Sequence, residues 1–127
     1  MKKEIISTEK APAAIGPYSQ GIRVGDFIYT SGQLPIDMKT AELVTDDIKK
    51  ATKASLDNVK NILEKAGSSM EKVIKTTVFL KDIGDFAAMN EVYGSYFPEE
   101  APARSCVQVA KLPKDAPVEV EVIALAR

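Results

Sequence analysis

The run Val118-Glu119-Val120-Glu121-Val122-Ile123-Ala124-Leu125-Ala126 is apolar on both faces over half its length. Side chains alternate across a strand, so Val118, Val120, Val122, Ala124 and Ala126 share one face while Ile123 and Leu125 lie on the other. Such a strand needs cover on both sides, and the rest of the chain supplies cover for one. A first helix is predicted from about Asp46 to Ala66, where Ile48, Ala51, Thr52, Ser55, Val59, Ile62, Leu63 and Ala66 recur at helical spacing. Lys49, Lys50, Lys53, Asp57, Lys60 and Glu64 face away. Thr45 or Asp46 is expected to cap this helix, and Gly67 to end it. A second helix is expected after Asp85, lasting to about Phe97 ahead of Pro98. Two helices cannot cover both faces of a six-stranded sheet. A wet apolar face usually marks an interface, so a homo-oligomer burying the helix-free face is expected.

The other strands read plainly. Ile22-Arg23-Val24 and Phe27-Ile28-Tyr29-Thr30-Ser31 form a hairpin pattern around Gly25-Asp26, with Gly32 ending the second strand. Val73 to Leu80 is a β-branched and aromatic run. Thr8 to Ser19, with Pro12, Gly16 and Pro17, reads as an ordered loop. The order strand, strand, strand, helix, strand, helix, strand, strand predicts an α+β fold. No repeat or linker interrupts residues 1–127, which suits a single domain of 127 residues.

Chemistry is limited by what is missing. The chain has no histidine, which removes the commonest general base and metal ligand, along with Ser-His-Asp and Cys-His pairs. One cysteine allows no internal disulfide and no all-Cys zinc site, and it suits a reducing compartment. Met1 to Ser7 has basic residues with no apolar run behind them, so a cytoplasmic protein without a membrane span is expected. The net charge of −1 and 6% aromatic content speak against nucleic-acid binding. Carboxylates, Arg, Lys, Tyr, hydroxyls and backbone remain.

Arg104 stands out among them. In Pro102-Ala103-Arg104-Ser105-Cys106-Val107-Gln108-Val109, strand alternation puts Arg104, Cys106 and Gln108 on one face. Ser105, Val107 and Val109 share the other, which looks built for a core. A guanidinium matches a carboxylate or phosphate bidentately, although a lone strand-entry arginine is more often a surface residue. Glu119 and Glu121 share the face of Ile123 and Leu125, where partial burial raises a carboxyl pKa and suits it to acid–base work. Asn90 falls inside the helix stripe Phe86, Met89, Tyr93, Tyr96, Phe97, where it either satisfies a backbone group or lines a pocket. Tyr18 sits in the stiff loop Gly16-Pro17-Tyr18-Ser19-Gln20. Ser31-Gly32 ends a strand where a ligand can approach the backbone. Cys106, with no base beside it, reads as a small apolar group.

Together these segments resemble the RidA/YjgF family of reactive-intermediate imine deaminases over nearly the whole chain. The matching stretches are Ala11 to Gln20, Thr30-Ser31-Gly32-Gln33, Lys75 to Leu80 and Asn90-Glu91-Val92-Tyr93. Pro102 to Val107 followed by Leu112-Pro113-Lys114-Asp115 and Val118 to Glu121 completes them. The resemblance implies a chorismate-mutase-like α+β fold, a six-stranded mixed sheet with two helices on one face. It also implies a homotrimer with intersubunit clefts. It implies that Arg104 binds the carboxylate of a 2-imino or enamine acid and that Glu119 serves the hydrolytic water. Tyr18, Ser31, Gly32, Asn90 and Cys106 match cleft-lining positions, and no metal or organic cofactor is implied. Two departures are local. The loop Tyr96 to Pro102 is shorter than in some relatives, and Gln108 stands where they often carry Glu. The implied reaction is hydrolysis of 2-iminobutanoate and 2-iminopropanoate to 2-oxo acids and ammonia. A regulatory module that binds small carboxylates would use the same Arg104. RNA cleavage, a label carried in the family, fits this charge balance less well.

Overall fold

The computed structural model describes residues 1–127. Its strands are β1 (Lys3–Ile6), β2 (Gly21–Val24), β3 (Phe27–Thr30), β4 (Ile36–Asp37), β5 (Glu42–Leu43), β6 (Val73–Leu80), β7 (Ala103–Gln108) and β8 (Val118–Leu125). The helices are α1 (Ile48–Lys65) and α2 (Phe86–Tyr96). Six strands form one sheet in the order β1-β2-β3-β8-β6-β7. β6 and β7 run parallel and the other pairs antiparallel, so the sheet is mixed. The parallel pair needs a crossover, and α2 supplies it.

Both helices lie on one face. Val118, Val120, Val122 and Ala124 of β8 are buried with Ile28 of β3 and Val78 and Leu80 of β6. Leu56, Val59, Ile62 and Leu63 of α1, with Met89 and Tyr93 of α2, close over them in one cluster. The opposite face has no helix. Ile5, Phe27, Tyr29, Val107 and Leu125 remain exposed there, Ile5 by 60% and Tyr29 by 46%. The final strand is therefore apolar on both sides, as its pattern predicts, with one side uncovered in the single chain. No helix is long and apolar enough to cross a membrane.

Several local expectations change. Asp47, rather than Thr45 or Asp46, caps α1: its Oδ1 accepts from the Lys49 N–H at 2.9 Å and the Lys50 N–H at 3.1 Å. Three neighbouring residues of capping type, Thr45, Asp46 and Asp47, left that choice open. Asp85 precedes α2 without a side-chain cap, because a 3₁₀ turn over Ile83–Asp85 leads in and Asp82 accepts from the Gly84 N–H instead. The β4–β5 pair escapes a sequence reading, since two-residue strands show no periodicity. It is held by Asn58 of α1, whose Nδ2 donates to the carbonyls of Leu34 and Ile36. Ser105 and Val107 do not face a core. Parallel pairing of Arg104 with Thr76 and Cys106 with Val78 turns Arg104 and Cys106 toward the helices and leaves Ser105 and Val107 exposed. At a sheet edge, alternation alone cannot say which side carries the helices.

Ser55 of α1 is fully buried, and its Oγ has no hydrogen-bond partner. An unsatisfied buried hydroxyl costs about 1–3 kcal/mol. Ser55→Ala is therefore expected to raise unfolding stability by about 1 kcal/mol, measured by chemical denaturation.

Candidate functional site

The end of β3 is irregular in a way that shapes a site. Tyr29 pairs with Ile123 and Gln33 bridges to Val120, so four residue steps on one side oppose three on β8. The extra residue makes a bulge, a device that re-aims side chains. Thr30 fills the broken ladder, its Oγ1 accepting from the Val122 N–H at 3.1 Å. Ser31 is tied to the preceding loop: its N–H donates to the Gln20 carbonyl at 2.9 Å and its Oγ to the Ser19 carbonyl at 2.6 Å. Beyond the bulge, Gln33 and Val120 exchange backbone bonds of 2.7 and 3.2 Å. Gly32, pinned between these anchors, lies against the Glu119 side chain. Tyr18 belongs to the same neighbourhood through Ser19 and Gln20. Its hydroxyl accepts from the Ile15 N–H at 3.4 Å and the residue is half exposed.

Glu119 projects from the open face. Burial raises its carboxyl above the usual glutamate range, and the charge of Glu121 on the same strand adds to the effect. Glu121 itself is exposed. A half-buried carboxyl of this kind is suited to accept and return a proton.

Arg104 lies on the opposite face. Its guanidinium carbon sits 4.6 Å from the centroid of the Tyr93 ring and 5.3 Å from that of Phe86. Its Nη1 donates to Asn90 Oδ1 at 2.7 Å. The phenol of Tyr93 is itself fixed, sharing a 2.7 Å hydrogen bond with Thr76 Oγ1. No carboxylate of the chain pairs with Arg104. Two ring contacts and one amide thus hold a planar cation whose other donors have no partner within the chain. Asn90 does not face the core as its place in the stripe suggests. It is exposed on the flank of α2, because Met89 and Tyr93 carry the buried stripe and Asn90 falls beside it. Cys106 lies two residues along β7 on the same side. Burial raises its pKa while Arg104 opposes the shift, so the thiol stays protonated and is a poor nucleophile. Gln108 caps the turn before α2, accepting from the Ile83 N–H at 2.8 Å.

The predicted residues therefore form two groups. Tyr18, Ser31, Gly32 and Glu119 gather at the end of β3 and the open face. Asn90, Arg104 and Cys106 gather at the β7 edge under α2. Strand register keeps them apart, since Arg104 aligns with Thr76 while Glu119 aligns with Phe79, and these point to opposite faces. The larger grooves of the single chain lie along α1 and contain none of the seven. Sequence reasoning missed Phe86 and Tyr93 as the seat of Arg104; aromatic residues seven apart on one helix, facing a strand arginine, are the signal. It also missed the bulge, for which Gly32 just past a strand was the cue.

A mixed sheet with both helices on one face, a strand-borne arginine and a half-buried glutamate define an α+β protein with a potential anion site. Comparison narrows this. The Endoribonuclease L-PSP family matches residues 8–126. A RutC family protein of Pyrococcus abyssi is 58% identical over 124 residues, covering 98% of each chain. The 2-iminobutanoate/2-iminopropanoate deaminase of Escherichia coli K12 is 53% identical over 125 residues, covering 96% of this chain and 97% of the relative. Among solved structures, E. coli TdcF with bound serine superposes with a TM-score of 0.91 at 48% identity, covering 96% of this chain and 98% of the other. The chain belongs to the RidA/YjgF family.

Proposed function

We propose that the protein hydrolyses 2-imino acids, such as 2-iminobutanoate and 2-iminopropanoate, to 2-oxo acids and ammonia. The observation that carries this reading is Arg104, an oriented guanidinium with no carboxylate of its own. An E. coli relative named for this reaction and a neighbour that holds serine, itself an α-carboxylate, support it. Arg104 binds the substrate carboxylate bidentately, with Asn90 and Cys106 beside it. Glu119 accepts a proton from water as the oxygen attacks the imine carbon. The C=N electron pair falls to a nitrogen that enters protonated, as the iminium. Glu119 then returns its proton to the carbinolamine nitrogen, the C–N bond breaks with loss of ammonia, and the hydroxyl proton passes to solvent as the carbonyl forms. Imines hydrolyse unaided, so positioning and one acid–base group suffice.

The two groups of residues face opposite sides of one sheet, so the site we propose lies between copies. Arg104, Asn90 and Cys106 of one chain meet Tyr18, Ser31, Gly32 and Glu119 of another, with the uncovered apolar face buried in a homotrimer. A closed cyclic assembly repeats one such heterologous contact around its ring.

The sign of an effect on imine lifetime tests the function. With a pyridoxal-phosphate dehydratase supplying the imine, catalytic amounts of the protein should shorten its lifetime in proportion to protein concentration. A carboxylate-binding module would lengthen it by sequestration, and either that result or no change would refute the assignment.

A further inference from the structure

A Cβ placed on Gly32 would lie 2.6 Å from Cδ, 2.8 Å from Oε1 and 2.9 Å from Cγ of Glu119. All three distances are well inside van der Waals contact, since carbon atoms rest at about 3.5–4.0 Å. The backbone at Gly32 cannot retreat. It is anchored on one side by the two bonds of Ser31 and on the other by the paired bonds of Gln33 with Val120. Glu119 is fixed in turn by strand pairing, aligned with Phe79 of β6. The one thing free to move is the Glu119 side chain. We propose that Gly32 is a positioning residue for Glu119: the absent side chain leaves the space in which the carboxyl rests, instead of opening the backbone to a ligand. The inference rests on the proposed role of Glu119.

Gly32→Ala is expected to fold, because the displaced group is the end of a flexible side chain. Its kcat should fall roughly 10²-fold or more, the scale of losing one acid–base group, with KM nearly unchanged. In a Glu119→Ala background the same substitution should add no further loss. In a Glu119→Asp background, where the carboxyl is withdrawn by one methylene, the loss should likewise shrink. Equal losses in all backgrounds, or a raised KM with kcat retained, would show that the alanine obstructs the substrate and would overturn the proposal.

A second readout needs no turnover. Glu119 shares its face with Glu121 on β8 and Lys75 on β6. Carboxyl ¹³C titration should find Glu119 above the ordinary glutamate range in the wild type and lower in Gly32→Ala, as the group swings into water. An unmoved titration would overturn the proposal even if the imine assay had already removed the function.

Discussion

Arg104→Ala is expected to lower kcat/KM for 2-imino acids by roughly 10²–10³-fold, equivalent to about 3–4 kcal/mol. The magnitude follows from truncating one partner of a charge-assisted, bidentate pair and leaving the substrate carboxylate unmatched. The loss should fall mainly on KM, because the carboxylate is held alike before and during the reaction. Arg104→Lys should restore little. An ammonium is a point donor with neither the fork nor the planar face that rests on Tyr93 and Phe86. The fold should survive both changes, since Arg104 lies at the edge strand β7 and carries no ion pair. Steady-state kinetics over a series of imine concentrations, alongside thermal denaturation, checks each part. An Arg104→Ala variant with wild-type kcat/KM would remove the arginine from the site.

Glu119→Gln has the opposite kinetic signature. It should lower kcat by roughly 10²–10⁴-fold with little change in KM, because proton transfer to water is lost while the carboxylate clamp remains. The pH profile follows from the direction of the shift. The working form is the carboxylate, and burial followed by Glu121 raises the pKa, so activity should fall on acidification at a pH above the ordinary glutamate range. Glu121→Gln should move that limb to lower pH. Stability has its own sign. The folded protein holds the proton on Glu119 more tightly than the unfolded chain does. Between the unfolded and the raised folded pKa the native state therefore binds more protons, and stability falls as pH rises through that window. Glu119→Gln removes this loss, so the variant should be more stable than wild type at neutral pH and equal to it in acid. Denaturation midpoints across pH test this without any substrate.

The elements with long periodic runs were legible in the chain. Val73–Leu80 and the alternation in β8 announced strands, the apolar stripe ending at Gly67 announced α1, and the doubly apolar β8 announced an uncovered face. What stayed hidden depended on register. Nothing local to Ser105 and Val107 says that β7 joins the sheet parallel to β6 with Arg104 turned toward α2. Nothing local to Asn90 says that the helix rotates it beside the buried stripe to meet Arg104. The opposition of Arg104 and Glu119 across the sheet has the same origin. Each residue could be singled out by its chemistry and its family motif, but which face it occupies is a property of the assembled sheet. Gly32 is the sharpest case: the chain marks it as permissive backbone, and only the bulge shows that the Glu119 carboxyl occupies the space.

Mixing two impaired variants, assayed at substrate well below KM, tests the shared site most directly. If each cleft takes Arg104 from one chain and Glu119 from another, Arg104→Ala and Glu119→Ala chains that are unfolded, mixed equally and reassembled will form some clefts with both residues intact. Random assembly into closed rings leaves about a quarter of clefts complete, so about a quarter of wild-type activity should return. Assayed at substrate well below KM, either variant reassembled alone should stay at about a hundredth of wild-type activity or less. A mixture that shows verified subunit exchange and no activity above the separate variants would contradict a site built from two copies.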